Sequence, residues 1–200
     1  MITPHEAARV TMRTQLRTAV PGTELSGAAI EKMAAEAEIS VVEPGTTICS
    51  SASPTNDLWF QIEGVLKEQL WSEDDTVLTV RFLGPGSFIS AAPCLPTPWG
   101  YRAAFVVHDR ATIARLPRAA WLQAIQSLSP IRTSYLVSWG WRAVTRRLLR
   151  KVQLLSLSMP ERVKLELIEL ARTVGRAEEF GVVLRTIVSD QDLAHLVGGS

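Results

Sequence analysis

The chain has 200 residues, 46% of them hydrophobic, with 21 Lys and Arg against 20 Asp and Glu for a formal net charge of +1. That is enough chain to bury a large core in one or two domains, and its near-neutral balance does not announce a nucleic-acid binder. Two cysteines, Cys49 and Cys94, argue against a four-thiolate iron–sulfur cluster or a disulfide scaffold, and no apolar run approaches the ~20 residues of a membrane span or follows a basic start as in a signal peptide, so a cytoplasmic protein with no membrane partner is expected.

Residues 1–38 read as an N-terminal helical segment. His5–Thr18 is polar, Pro21-Gly22 breaks the pattern, and Leu25, Ile30, Met33, Ala34 and Ala37 are spaced as one apolar helix face. From Ile39 the period changes to two. Ile39–Glu43 reads as a strand turned by Pro44-Gly45, and Leu58–Ile62 with Val65–Trp71 reads as a hairpin around Glu63-Gly64. Thr76–Leu83 follows, stopped by Gly84-Pro85-Gly86, and Tyr101–Val107 and Ala111–Leu116 complete the set. Short strands with turns about every ten residues predict a sandwich or jelly roll over 39–128.

Pro117 opens a helix carrying Trp121, Ile125 and Leu128, and Ser129-Pro130 starts the longest helix, predicted over 129–157. Its stretch 130–151 holds Arg132, Arg142, Arg146, Arg147, Arg150 and Lys151 and no acid. Val137, Trp141, Val144, Leu148 and Leu155 fall at heptad a and d sites, with Lys151 interrupting them and Val152 alongside. Such a stripe predicts a dimer seam; the alternative is that it packs on the chain's own sheet.

Ser158-Met159-Pro160-Glu161 begins a capped helix, with Val163, Leu165, Leu167, Ile168 and Leu170 expected on its buried face and Gly175 at its end. Phe180–Leu184 and Thr186–Val188 read as short β pieces. Ser189 then caps a short amphipathic helix in which Ala194 stands four residues before Gly198. A helix-turn-helix needs a small residue where its helices touch and one tolerant of positive φ in the turn. Ser200 stands where a second helix would be N-capped, and that helix, which would read bases, would lie beyond it. Residues 158–200 are therefore expected to form a winged helix-turn-helix lacking its recognition helix. The predicted class is α+β: a double-stranded β-helix (jelly roll) sensor domain, a long dimerisation helix and a partial winged helix-turn-helix.

Pro44-Gly45, Glu63-Gly64, Leu83-Gly84-Pro85-Gly86-Ser87-Phe88, Tyr101-Arg102-Ala103-Ala104, Pro160-Glu161-Arg162-Val163 and Ser189-Asp190-Gln191-Asp192-Leu193-Ala194 occur in that order. Through them the chain from Ile39 onward resembles the Crp–Fnr family of bacterial transcription regulators, which join a cyclic-nucleotide-binding jelly roll, a long dimerisation helix and a winged helix-turn-helix. The resemblance implies a ligand site between jelly roll and long helix, at Ser90, Ala91, Arg102, Ala103 and Arg147. In cyclic-nucleotide-binding members a Gly-Glu-Leu triplet offers helix N-terminal amides to the phosphate and a glutamate to the ribose, and an arginine holds the phosphate. Here the triplet is Ser90-Ala91-Ala92, Pro93 follows, and Arg147 and Leu148 stand where family members present small polar residues to the base. A lost acceptor leaves a buried hydroxyl unpaired at about 1–3 kcal/mol, which disfavours cyclic AMP. Arg102 with Arg147 or Arg142 suits another small-molecule effector, such as a carboxylate or phosphate anion. The competing reading pairs Arg102 with a nearby acid and leaves the long-helix arginines in solvent. A haem held by Cys49, Cys94 or His108 is a third reading, although lone buried cysteines are common packing residues. His5 and His195 are expected at the surface.

The resemblance also implies a homodimer with Val137, Trp141, Val144, Leu148, Val152 and Leu155 at its interface. Promoter DNA follows as a partner of a full-length form, with Ser189 and Gln191 on phosphates and Ser200 opening the reading helix; RNA polymerase follows as a further partner. No Walker loop, GxGxxG, CxxC or HExxH is present, so neither an enzyme nor a metal site is expected. The function implied is a ligand-responsive, DNA-binding transcription regulator of the Crp–Fnr type. The alternatives are a DNA-binding-deficient sensor or dimerisation module acting through mixed dimers, and a haem or gas sensor regulator.

Overall fold

The computed structural model describes residues 3–19, 25–50, 57–71, 76–89 and 102–198. Two helices come first, α1 (Pro4–Thr18) and α2 (Gly27–Glu36). Thr3 and Ser26 cap them by accepting from the amides of Glu6 and Ala29, which satisfies donors that a helix start leaves open. Met12, Leu16, Ile30 and Met33 are buried against Phe60, Ile62, Leu116 and Ala124. The N-terminal segment is thus a lid on the sheet, and Arg9 ties α1 to the end of α2 by donating to the carbonyls of Ala34 and Ala37.

Six antiparallel strands follow: β1 (Glu38–Val42), β2 (Thr47–Ser50), β3 (Leu58–Trp71), β4 (Val77–Leu83), β5 (Phe88–Ile89) and β6 (Arg102–Leu116). Their order is β1-β6-β3-β4, with β2 also on β6 and β5 also on β3. Leu58–Trp71 is one strand where a hairpin around Glu63-Gly64 was expected, and β6 likewise joins two expected strands. The reason is local. Gly64 has φ +84, and a side-chain carbon there would overlap the Arg110 carbonyl and Ala111. The glycine bends a continuous strand against its neighbour instead of reversing it, and the β3–β6 register slips around it. Gln61, fully buried, secures the bend by donating to the carbonyls of Gly64 and Leu83 at 2.8 and 3.1 Å.

Two further apolar clusters lie on opposite faces of this sheet. The inner one holds Cys49, Leu66, Leu83, Ile89, Phe105, Val107, Ala111 and Ile113. The outer one holds Val65 and Phe82 of the sheet with Leu170, Val174 and Leu196 of the C-terminal helices.

Helices α3 (Arg118–Gln126), α4 (Pro130–Leu155) and α5 (Met159–Val174) lead to a small hairpin, β7 (Gly175–Glu178) and β8 (Gly181–Leu184), and to α6 (Asp190–Val197). Ser158 and Glu161 form a reciprocal capping box at the start of α5. Hydrogen bonds from the Ser158 hydroxyl and amide hold the Glu161 carboxyl below its ordinary value. The buried stripe of α5 is Glu166, Leu170 and Val174. Leu167 and Ile168, expected inside, are 45% and 42% exposed, because α5 lays only one narrow face on the sheet. The wing also differs from expectation. It pairs 175–178 with 181–184, and Thr186–Val188 is not a strand. The α5 end turns directly into β7, and beyond β8 the Ile187 carbonyl is already engaged by His108 across the domain junction. Among the described residues no helix is long and apolar enough to cross a membrane.

Candidate effector cleft and helix-turn-helix

The site is organised by an irregularity in β4. Gln69 pairs with Thr79 and Glu68 with Arg81, so Val80 is an extra residue on its strand. A β-bulge breaks the alternation of faces. Thr79 and Phe82 face the C-terminal helices, whereas Arg81 turns inward, where its guanidinium lies 6.0 Å from the Phe105 ring centre and pairs with Glu68.

Beside the bulge lies a cleft of roughly 340 Å³, lined by Glu68, Val80, Arg81, Ser87, Arg150 and Leu196 among others. It therefore borders the sheet, α4, α5 and α6 at once. Arg150 closes its helical side: Nε and Nη1 meet Glu166 and Glu169 at 3.3 and 3.1 Å, and Nη2 donates to the Leu165 carbonyl at 2.8 Å. The Glu166 side chain is only 6% exposed, and a buried carboxylate is tolerable only when paired in this way.

Of the ligand residues expected from sequence, Ala103 is buried in β6. Arg102 begins β6 opposite Trp71 and Arg147 lies within α4, but their side chains, with Ser90 and Ala91 entirely, are outside the described residues. Glu68, Arg81, Arg150 and Glu166 were not singled out. The Glu68–Arg81 pair depends on a register that only the bulge creates. Arg150 stood in a basic run, and its acids lie 16 and 19 residues further on, on another helix.

The segment expected to open a helix-turn-helix has the local geometry that its sequence predicts. Ser189 caps α6, accepting from the Asp192 amide at 3.0 Å, and Gly198 ends it at φ 72 in the left-handed region. Gln191 is exposed; Ser200 is outside the described residues. The unexpected residue is Asp192, 7% exposed. Its Oδ1 accepts from the Thr79 hydroxyl at 2.5 Å and lies 3.6 Å from Lys67 Nζ, while Oδ2 accepts from the Ser189 hydroxyl at 2.9 Å. Burial pushes the Asp192 carboxyl up, but bonds from Thr79 and Ser189 and the nearby Lys67 and His108 outweigh it, leaving it below the ordinary value.

His195 does not point to solvent as expected: its Nδ1 accepts from the Thr79 amide at 3.3 Å, so the residue is half-buried against β4. His5 is exposed. Of the residues considered for haem, Cys49 is packed in the inner core, and His108 bonds the Ile187 carbonyl at 2.8 Å with its ring edge-on to Phe82. Cys94 is outside the described residues. Among the described residues no group of three or more His, Cys, Asp or Glu could hold a metal ion.

On α4, Val137, Trp141 and Val152 are 67%, 74% and 63% exposed, so the chain's own sheet does not cover them. The side chains of Val144, Leu148 and Leu155 are outside the described residues.

Residues 39–128 match the cyclic nucleotide-binding domain family. Similar solved structures include the c-di-GMP-responsive global regulator CLP of Xanthomonas campestris, 24% identical over 88% of this chain and 86% of that one, with a TM-score of 0.61. FixK2 of Bradyrhizobium japonicum is 15% identical over 82% and 78%, TM-score 0.65. A CRP/FNR-family transcriptional regulator of Thermus thermophilus is 21% identical over 81% and 79%, TM-score 0.55. No curated protein matches the sequence. Residues 39–128 thus resemble a cyclic nucleotide-binding domain, in a chain that shares the fold of the Crp–Fnr transcription regulators.

Proposed function

We propose that this chain is a ligand-responsive transcription regulator of the Crp–Fnr type. One observation carries the reading: α6, which we read as the first helix of a helix-turn-helix, is docked on the same strand, β4, that lines the cleft. A small molecule entering at Arg81 and Val80 thereby touches the element that holds the DNA-binding half. Such a ligand shifts the protein towards whichever arrangement it binds better. The exposed stripe of Val137, Trp141 and Val152 pairs two copies through α4, and Ser189 and Gln191 approach the phosphates of promoter DNA. The protein acts in the cytoplasm and, on DNA, beside RNA polymerase. Cyclic AMP is not the effector on this reading, since the ribose acceptor is missing at Ser90-Ala91-Ala92.

The test is a thermal-shift screen of small metabolites, since a ligand that binds only the folded state raises the unfolding temperature. It is followed by operator selection with and without each hit. A hit that stabilises the protein and alters DNA affinity supports the reading; stabilisation with no DNA binding in any state contradicts it. A second reading, a DNA-binding-deficient partner in mixed dimers, is favoured by one fact: the first turn of α6 carries the exposed carboxylate of Asp190, which repels phosphate. It expects co-expression with a DNA-binding relative to lower that relative's operator occupancy.

A further inference from the structure

We propose that the Thr79–Asp192 hydrogen bond is a latch between the sensor sheet and the helix-turn-helix, and that the Val80 bulge is the lever that works it. The effector part of this rests on the regulator reading above; the latch itself does not.

The junction between sheet and α6 is mixed. Its apolar part is Val65, Phe82, Leu170, Val174 and Leu196, which would hold the two halves together in several slightly different registers. Its polar part is directional. Thr79 presents its hydroxyl to Asp192 and its amide to His195, three residues later on the same helix. These two bonds from one sheet residue set both the height and the rotation of α6. Lys67, on the strand paired with β4, supplies the charge that lets the Asp192 carboxylate stay buried. At the far end of the junction His108 bonds the Ile187 carbonyl, just before the Ser189 cap.

The lever follows from the bulge. In a regular strand Thr79 and Arg81 would share a face. With Val80 inserted, Thr79 serves α6 and Arg81 serves the cleft, while Val80 itself lines the cleft. A bulge is a local kink whose twist depends on what fills the space around it. Occupying the cleft, or pulling Arg81 away from Glu68, therefore moves Thr79 relative to Asp192. The same latch consumes the Ser189 hydroxyl proton, which is donated to Asp192, so that hydroxyl cannot donate to a phosphate while the latch is closed.

The experiment is hydrogen–deuterium exchange on the whole chain, needing neither effector nor DNA. Thr79→Val keeps the side-chain shape, removes the donor and leaves α6 itself untouched. We expect amides of 190–198 to exchange at least tenfold faster in Thr79→Val and in Asp192→Ala, with amides of 58–66 and 103–114 unchanged. The double variant is expected to be no faster than the faster single one, because the Thr79–Asp192 bond is already lost in either single variant. On the cleft side, Arg81→Met is expected to speed α6 exchange at least threefold without touching α6. Lys67→Met serves in place of Thr79→Val should the latter not fold. Protection of 190–198 unchanged within twofold in the latch variants, or independent multiplication of the two effects, overturns the latch. An unchanged α6 in Arg81→Met overturns the lever. Failure of the regulator reading shows instead as no effector or no operator, with α6 exchange still sensitive to Thr79→Val.

Discussion

The backbones of Gly84 and Thr173 touch. A side-chain carbon on Gly84 would overlap the Thr173 carbonyl oxygen, so the exit of β4 lies directly on the last turn of α5. This contact fixes the separation between the six-stranded sheet and the helices that follow α4. Gly84 owes its presence to that closeness rather than to an unusual φ.

Gly84→Ala is accordingly expected to push α5 from the sheet and loosen Leu170 and Val174. Overpacking against backbone costs about 1–3 kcal/mol. A lowered urea midpoint, with faster proteolysis in 158–198 than in 39–128, checks it. Unchanged stability would mean that the two backbones separate freely.

Leu196 is 2% exposed at the centre of the outer cluster. Leu196→Ala is expected to destabilise the docked C-terminal unit by about 3 kcal/mol, in the usual range for a buried leucine. Chemical denaturation followed by tryptophan fluorescence gives the number, and a loss below about 1 kcal/mol would mean α6 barely docks.

Arg150→Met removes the cation from Glu166 while keeping most of the stem that packs. Breaking a fully buried pair costs about 3–5 kcal/mol; with the Arg150 side chain 26% exposed, about 2 kcal/mol is expected. Adding Glu166→Leu should recover much of that loss, because the stranded carboxylate is then gone. A double variant no more stable than Arg150→Met would refute the pairing.

The Asp192 carboxyl titrates below its ordinary value of 3.8 in the folded chain. A depressed carboxyl contributes stability above its unfolded pKa and loses it as pH falls through the folded one. The part of α6 docking that Asp192 supplies is therefore expected to be fully present above the ordinary carboxylate range and to be lost as pH falls through it. In Asp192→Asn that acid-side loss should shrink. Exchange of 190–198 measured against pH reads both, and an acid-side loss as large in Asp192→Asn as in the wild-type chain would contradict the assigned environment.

Trp141, 74% exposed on α4, is the largest apolar group of the stripe proposed for pairing. Burying a charge there opposes association, and a central aromatic typically contributes about 2 kcal/mol or more. Trp141→Glu should raise the dimer dissociation constant at least tenfold by sedimentation, with the monomer still folded. Wild-type chain that sediments as a monomer at all concentrations would remove the dimer from the proposal.

Much of the fold was legible along the chain, and the reason is that each signal was local. Ser158 with Glu161 announces a capped helix, Ser189 with Gly198 brackets another, and the change to period two at Ile39 marks the sheet. The errors were also local signals read too literally. Glu63-Gly64 looks like a hairpin turn, yet the glycine is needed because Arg110 and Ala111 crowd its Cα from a strand about fifty residues away. Leu167 and Ile168 look like core, yet among the described residues no element covers that side of α5.

By itself, then, the order of residues determined where helix gives way to sheet and sheet to helix, and the caps at Ser158 and Ser189, since period, capping and turn chemistry act over a few residues. Which groups meet was decided only in three dimensions. Thr79 finds Asp192 across 113 residues, and it does so because one extra residue in β4 reverses a face. No periodicity records such a pairing, since the bulge is defined by the partner strand's register rather than by the strand's own sequence.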